Sequence, residues 1–226
     1  MIPLKDDTPR TTFPFVAIAI LCVNIAVFIY QLTLGDFGER LFVMRAGAIP
    51  YELTRLRDLH PPDLVPIPFT IFTALFIHGN LLHLGGNMLY LWIFGDNIED
   101  RLGHFRFLLF YLIAGIVATL SHIALAPHSH IPLIGASGAI AGILGAYLLL
   151  FPRATVSTLV FLIIYFDIIK IPAVVFLALW FLFQLINSLQ GGNIAWFAHI
   201  GGFIAGLVLI KLFLRGKVRL KVLSGR

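Results

Sequence analysis

An apolar segment of the chain begins with Gly135-Ala136-Ser137-Gly138-Ala139-Ile140-Ala141-Gly142 and continues to Phe151. A serine flanked by glycines at the start of such a segment is a candidate nucleophile. Another apolar segment, near the C-terminus, begins close to Ala198-His199, and its histidine is a candidate base. Both side chains then lie inside a membrane protein, provided that the segments that carry them are membrane spans.

The composition indicates an integral membrane protein. Hydrophobic residues make up 59% of the 226 residues, charged residues make up 12%, and the mean hydropathy is +0.96. Soluble domains average about 45–50% apolar and about 25% charged residues. A helix needs about 20 mostly apolar residues to cross the hydrocarbon core. We predict an all-α bundle of six membrane-spanning helices at Phe13–Leu32, Phe76–Gly95, Phe107–Ala126, Ser137–Phe151, Pro172–Leu189 and Ile194–Leu212.

Basic residues indicate the orientation, because lysine and arginine that flank membrane spans stay on the cytoplasmic side. The C-terminal end carries Lys211, Arg215, Lys217, Arg219, Lys221 and Arg226. We therefore predict a cytoplasmic C-terminus, and an even number of spans places the N-terminus on the same side. The basic cluster is a short tail without interleaved aromatic residues, which argues against nucleic acid as a partner and leaves the lipid bilayer.

Two segments between the spans need a separate interpretation. The first loop, from about Thr33 to Leu75, combines charges, prolines and apolar pairs, so we expect short helices at the membrane interface. The segment Val156–Ile169 is too short to span and is predicted to be interfacial or re-entrant. We find no internal repeat and predict one domain, 1–226, with a core at about 69–212 and a basic cytoplasmic tail at about 213–226.

The candidate polar residues converge on one depth. Ser137 lies 16 positions before Arg153, which places it about 24 Å above the inner boundary of its span. The same rise per residue gives depths of about 18 Å for His199 and about 20 Å for His83. Asn87 follows His83 by four positions and shares its helix face. The stretch Pro127–Ala136, which leads to Ser137, is expected to be non-helical at this depth. Such backbone is tolerated only where protein covers it or where it lines a water-filled cavity, so we predict a water-accessible pocket.

Small residues predict that the fourth and sixth spans touch. Gly138 and Gly142, Ala141 and Gly145, and Gly202 and Gly206 are pairs four positions apart. Such faces let helix backbones approach closely in lipid. The approach would carry Ser137 Oγ to within hydrogen-bond distance of His199, which is the geometry that a general base requires.

A purely structural interpretation remains open for the same residues. Ser137 could be a packing residue, and His83 and Asn87 could be hydrogen-bonding glue between helices. The shared depth favours function, because unrelated packing residues need not coincide. The predicted spans contain no acidic residue, which leaves a Ser-His dyad. Three further histidines near loop ends are expected to be interfacial, namely His78, His128 and His130.

Four motifs in this order resemble the rhomboid family of intramembrane serine proteases, from about Phe69 to Leu212. The motifs are His83-Leu84-Gly85-Gly86-Asn87, Glu99-Asp100-Arg101-Leu102-Gly103, Gly135-Ala136-Ser137-Gly138, and Ala198-His199-Ile200-Gly201-Gly202 with Gly206. One departure lies in the first loop, where Phe69-Thr70 stands at the place of the Trp-Arg pair of many relatives.

The resemblance implies a rhomboid-like fold and assigns roles to the motif residues. Ser137 would be the nucleophile and His199 the general base and then acid. His83, Asn87 and the Ser137 backbone N–H would stabilise the oxyanion. Structural motif residues would be Gly135, Gly138, Gly202, Gly206, Glu99 and Arg101.

The implied activity is that of a serine endopeptidase that needs no metal and no organic cofactor. Its substrates would be membrane proteins whose helix-destabilised transmembrane segments unwind near the outer end. We expect a multi-pass protein of a prokaryotic plasma membrane whose active site opens outward. An aromatic face of the fifth span, formed by Phe176, Trp180 and Phe183, is the expected lateral gate. The alternatives are a non-catalytic membrane-helix binder and a small polytopic transporter.

Overall fold

A computed structural model describes residues 1–59, 64–162, 165–189 and 195–223, and side chains within these ranges except at 162, 165 and 215–223. The predicted positions His60 and Ile194 and the last residues of the tail lie outside this description. The helices are α1 (Phe15–Thr33), α2 (Gly35–Ala46), α3 (Pro50–Arg55), α4 (Thr70–Thr73), α5 (Leu81–Leu102), α6 (His104–Leu125), α7 (Ser137–Leu150), α8 (Ala173–Ser188) and α9 (Trp196–Leu223). The strands are β1 (Ile2–Asp6), β2 (Thr155–Leu162) and β3 (Tyr165–Pro172).

Each of the six predicted spans overlaps one helix, in the order α1, α5, α6, α7, α8 and α9. Among the described residues, α1, α6 and the Trp196–Leu214 part of α9 are long and apolar enough to cross a membrane by themselves. The short helices of Ile67–Phe76 and the helix α5 are together long and apolar enough to cross a membrane, but they meet at a bend of 81°. Because α7 and α8 are shorter apolar helices, the count of six complete spans stays a prediction.

Helix α7 forms the centre of the bundle. Every residue from Gly138 to Tyr147 is buried, and α5, α6, α8 and α9 pack around it. A Cβ atom on Gly206 would lie 2.6 Å from the Gly142 carbonyl carbon, and one on Gly202 would overlap the Gly138 carbonyl group. These glycines let α7 and α9 touch backbone to backbone, which confirms the predicted contact between the fourth and sixth spans.

The Glu99 carboxylate connects the ends of three helices. It accepts hydrogen bonds from the Val16 and Ala17 amides at 2.9 and 2.7 Å, which caps the first turn of α1. It also bonds His104 at the beginning of α6. Because free amides at a helix N-terminus attract anionic groups, the buried carboxylate holds α1 against the α5–α6 junction. Arg101 lies over the Phe151 ring, 5.1 Å from its centroid.

A three-stranded antiparallel sheet covers one end of the bundle. Strands β2 and β3 form a hairpin, and β1 pairs with β2 from the other end of the chain, with Ile2 opposite Leu159. The prediction of an all-α bundle was wrong at this place, because the described residues of the segment Val156–Ile169, which was expected to be interfacial or re-entrant, lie in β2 and β3. The hairpin satisfies its backbone groups between strands, and it returns the chain to the same end of the bundle. It therefore keeps Ser137 and His199 at one common end.

Hydrogen bonds also attach the chain before α1 to this end. Asp6 bonds the Tyr147 hydroxyl of α7 at 2.5 Å and the Asn97 amide of α5 at 3.0 Å. Asp7 accepts from the hydroxyl and the amide of Thr155, and these hydrogen bonds lower the pKa of its carboxyl group below the usual value. A lowered pKa stabilises the fold above the ordinary carboxyl range, and this contribution is lost as the pH falls.

The segment between α1 and α5 contains the expected short helices, and backbone hydrogen bonds attach it to the chain before α7. Ala48 and Leu133 bond each other at 3.0 and 2.8 Å, and the Tyr51 amide donates to Ser129. At the departure from the family motif, Phe69 is exposed while Thr70 is buried. The segment is thus anchored without a Trp-Arg pair, and its position at a membrane interface stays a prediction.

Helix α9 continues to Leu223, beyond the predicted end of the span at Leu212. The predicted tail at 213–226 is therefore helical as far as the structure describes it. Lysine and arginine are good helix formers, so the basic residues that follow the apolar part can continue the helix.

We expect Gly206→Ala to destabilise the protein by about 1–3 kcal/mol, because its Cβ would overlap a backbone that cannot shift easily. Gly85→Ala is the matched control, since an added Cβ meets nothing within 4 Å at that position of α5. Thermal unfolding of both variants in one detergent measures the difference. Equal melting temperatures would show that α7 and α9 do not touch as described.

Candidate active site

Ser137 lies at the beginning of α7, after a turn that requires glycine. Gly135 has a φ of +112°, which residues with a side chain rarely adopt, and its amide donates to the Ala74 carbonyl at 2.8 Å. As the first residue of α7, Ser137 has one of the amides that a helix leaves without an intrahelical acceptor. The turn thus presents both the hydroxyl group and the backbone N–H of Ser137 at one place.

His199, in the first turns of α9, lies beside the serine. Its Nε2 atom is 2.8 Å from Ser137 Oγ. The close approach of α7 and α9 at their glycines produces this distance, because α7 begins at the serine and α9 begins three residues before the histidine. The structure therefore brings the predicted nucleophile and the predicted base together.

A third side chain, Gln184 of α8, completes a hydrogen-bonded chain. Its Oε1 atom is 2.8 Å from His199 Nδ1, and its Nε2 atom donates to the Trp180 carbonyl at 3.2 Å. Sequence reasoning did not single out Gln184. A signal was present, because a glutamine in an otherwise apolar membrane helix needs a hydrogen-bond partner.

His83 and Asn87 of α5 face the glycine turn. A Cβ atom on Gly135 would lie 2.6 Å from His83 Nε2 and 3.6 Å from Asn87 Nδ2. The Gly79 amide donates to His83 Nδ1 at 3.4 Å, which leaves the proton on Nε2. Among the described residues, Asn87 Nδ2 is buried without a hydrogen-bond partner. Two side-chain donors are therefore directed at the space beside Ser137.

These groups border a cavity of about 920 Å³, where the sequence predicts a water-accessible pocket. Its walls come from α5, α7, α8, α9 and the chain before α7, and they include Ser137, His199, His83, Asn87 and Gln184. The cavity extends between α5 and α8, where Tyr90 and Trp180 line it. Its walls are mostly apolar.

His78 departs from the sequence expectation. Its side chain is 0% exposed, whereas we predicted an interfacial residue. The Gln31 side chain bonds both the carbonyl and the amide of His78, at 2.9 and 3.2 Å, and the His78 ring contacts the His83 ring edge to face. This contact places His78 behind one of the two side-chain donors. The two other histidines of that prediction, His128 and His130, are exposed.

Among the described residues, no group of three or more histidine, cysteine, aspartate or glutamate side chains is placed to hold a metal ion. The groups that meet at Ser137 are a hydroxyl, an imidazole and hydrogen-bond donors. This set is suited to acyl transfer, and the expectation that no cofactor is needed stays a prediction.

Fold and site together define a class: a helical membrane protein with a serine–histidine pair at a cavity inside its bundle. Residues 68–216 match the Rhomboid domain family. The chain belongs to the rhomboid family. This confirms the resemblance that the motifs indicated.

Curated relatives support the assignment. Rhomboid protein 1, mitochondrial, of Saccharomyces cerevisiae is 34% identical over 153 residues, which cover 65% of this chain and 42% of the relative. Rhomboid protease GluP of Bacillus subtilis is 35% identical over 145 residues, or 62% of this chain and 25% of the relative. Rhomboid-like protein 11, chloroplastic, of Arabidopsis thaliana is 32% identical over 93 residues, which cover 41% and 33%.

The aligned part covers less than half of each of these three relatives. Their names include a protease and a rhomboid-like protein, and they come from bacterial, mitochondrial and chloroplast settings. The family therefore supports a membrane protein with protease relatives, and it assigns neither a particular membrane nor the orientation of the termini.

Proposed function

We propose that this protein is an intramembrane serine endopeptidase that cleaves transmembrane segments of other membrane proteins near their outer end. The observation that carries the proposal is the 2.8 Å contact between Ser137 Oγ and His199 Nε2. It lies at the edge of a cavity into which His83 and Asn87 also point. Membership of a family that includes named proteases supports the same conclusion.

The reaction is acyl transfer through a covalent intermediate. His199 Nε2 accepts the proton of Ser137 as the oxygen attacks a peptide carbonyl, and it then protonates the leaving amine. The carbonyl oxygen becomes an oxyanion at the place that His83 Nε2, Asn87 Nδ2 and the Ser137 amide share. A donor of this kind contributes about 2.7–4 kcal/mol in other serine proteases. Water, activated by His199, releases the acyl group.

The substrate reaches the dyad as an unwound segment, because an intact helix conceals its carbonyls in hydrogen bonds within the chain. The space between α5 and α8 supports entry from the side. Along α8 the exposed fraction rises from 1% at Phe176 to 57% at Phe183. The aromatic face is thus buried at its inner end and exposed at its outer end, which is the end where Ser137 lies. We assign α8 as the lateral gate.

The sheet and the basic residues support a proposal for the orientation in the membrane. Strand β1, the β2–β3 hairpin and the ends of α5 and α7 lie together, at the end of the bundle away from Ser137. Basic residues concentrate toward this end of α9, and such residues favour the cytoplasm. We propose that both termini are cytoplasmic, that the active site opens outward, and that the membrane is a prokaryotic plasma membrane.

Ser137→Ala and His199→Ala are each expected to abolish cleavage of a model transmembrane substrate, because each removes one member of the dyad. The melting temperature should change little, since neither change leaves a large cavity. Cleavage of a fluorescent substrate in liposomes measures the effect. Activity near that of the parent in either variant would rule out the dyad. Substrate binding without cleavage by the parent would instead favour the non-catalytic helix binder.

Asn87→Ala is expected to lower kcat by about a hundredfold or more with little change in KM, because the donor acts on the transition state. His83→Ala should behave similarly. If both residues are only structural, the melting temperature falls while turnover per folded molecule stays high, since an interhelical hydrogen bond in lipid averages about 0.6 kcal/mol. Kinetics and melting temperature in the same detergent separate the two outcomes.

Cysteine labelling tests the orientation after the single native cysteine is changed by Cys22→Ser. A cysteine at Ser129, before α7, is expected to react with an impermeant reagent from outside. Cysteines at Lys170, in the hairpin, and at Lys217 are expected to react only after the membrane is opened. Labelling of the positions of Ser129 and Lys217 from the same side would show that an even number of spans separates them, and the predicted three spans would be wrong.

A further inference from the structure

Gln184 is a buried polar side chain on a helix that is otherwise apolar around it. Only 4% of its surface is exposed. Both ends of its amide group have partners, since Nε2 donates to the Trp180 carbonyl one turn earlier and Oε1 lies 2.8 Å from His199 Nδ1. The bond to Trp180 determines how the amide is rotated, because only nitrogen can donate to that carbonyl.

The rotation of the amide determines the state of the imidazole. With Oε1 facing it, His199 Nδ1 must carry a hydrogen and donate it. The neutral ring then has its free lone pair on Nε2, which faces Ser137 Oγ. This is the tautomer that can accept the serine proton. The opposite tautomer would place a hydrogen between Nε2 and the serine and would lose the bond to Gln184.

We propose that Gln184 is a positioning residue that completes a Ser137–His199–Gln184 triad, an inference that rests on the proposed protease function. The amide selects the productive tautomer and fixes the ring orientation. It also accepts from Nδ1 when the ring becomes an imidazolium. An aspartate in this place would add a full negative charge, whereas the amide contributes only its dipole, and a neutral group is less costly to bury in lipid.

The location on α8 gives the proposal a mechanical consequence. Helix α8 borders the cavity on the side where we place substrate entry, and it also carries the partner of the general base. Moving α8 away removes Oε1 from His199. The helix must therefore occupy the described position when Ser137 loses its proton. Substrate admission and proton transfer then belong to two different positions of α8.

A structural role for Gln184 as glue between α8 and α9 makes different predictions. Glue would affect stability, whereas positioning affects kcat and its pH dependence. Asn187→Leu is the matched control, because Asn187 is also an amide on α8, and it bonds the Phe183 carbonyl of its own helix at 2.7 Å. It lies one turn farther along and is not among the groups that bond the dyad.

Gln184→Met keeps the length of the side chain and removes the acceptor. We expect kcat to fall about ten- to a hundredfold with KM nearly unchanged, as for other groups that orient a functional imidazole. Asn187→Leu should stay within about twofold of the parent. Cleavage kinetics in liposomes, with melting temperatures in one detergent, measure both variants.

Gln184→Glu restores an acceptor and adds a charge, and it keeps the proposal testable if the methionine variant does not fold. A carboxylate would stabilise protonated His199, so activity on the acidic side of the kcat/KM profile should be lost at higher pH than in the parent. The contradicting outcome is that both Gln184 variants keep the kcat/KM pH profile of the parent and turn over as fast as Asn187→Leu. This outcome would overturn the positioning role of Gln184 and leave the protease function standing. A parent that does not cleave would overturn both.

Discussion

The backbone contact between α7 and α9 is the constraint on which the rest of the structure depends. Two glycines of α9, Gly202 and Gly206, lie against the carbonyl groups of Gly138 and Gly142, at a separation that leaves no room for a Cβ atom. Hydrophobic burial does not favour one apolar helix face over another in lipid, so close packing of small residues selects the partners. This contact determines the distance between Ser137 and His199, because each lies at the beginning of one of the two helices.

The site combines a buried central helix with a partly exposed one. Helix α7 is surrounded by other helices, and its first amide and the donors of α5 meet at the Gly135 turn. Such preorganised donors are effective because they need not reorient during the reaction. Helix α8 differs, because its aromatic face becomes exposed at Phe183 and the helix still supplies the partner of His199 Nδ1. The wall of the cavity at which we propose substrate entry thus also carries part of the proposed catalytic machinery.

The sequence was sufficient for the features that local patterns encode. Apolar runs predicted segments that each overlap a helix of the bundle, and spacing and depth predicted that Ser137, His199, His83 and Asn87 would converge. The Glu99 motif was found through the family, while its contact with the first turn of α1 emerged only from the structure. Here a buried carboxylate meets two amides that lie more than eighty residues earlier in the chain, a pairing that periodicity does not reveal.

The features that were missed depend on distant partners. The β2–β3 hairpin pairs with a strand at the opposite end of the chain, so the length of the apolar run could not identify it. His78 is buried because the Gln31 side chain binds its backbone across forty-seven positions. Gln184 becomes informative only when α8 packs against α9, since its role depends on the ring nitrogen that it meets.

The most direct test of the central claim is to treat the protein in membranes with a serine-directed fluorophosphonate and to locate the adduct by mass spectrometry. The account predicts one adduct on Ser137, formed much more slowly in His199→Ala because the hydroxyl group has lost its base. An adduct on another serine, or a labelling rate of Ser137 that does not depend on His199, would contradict the claim that these two residues form a catalytic dyad.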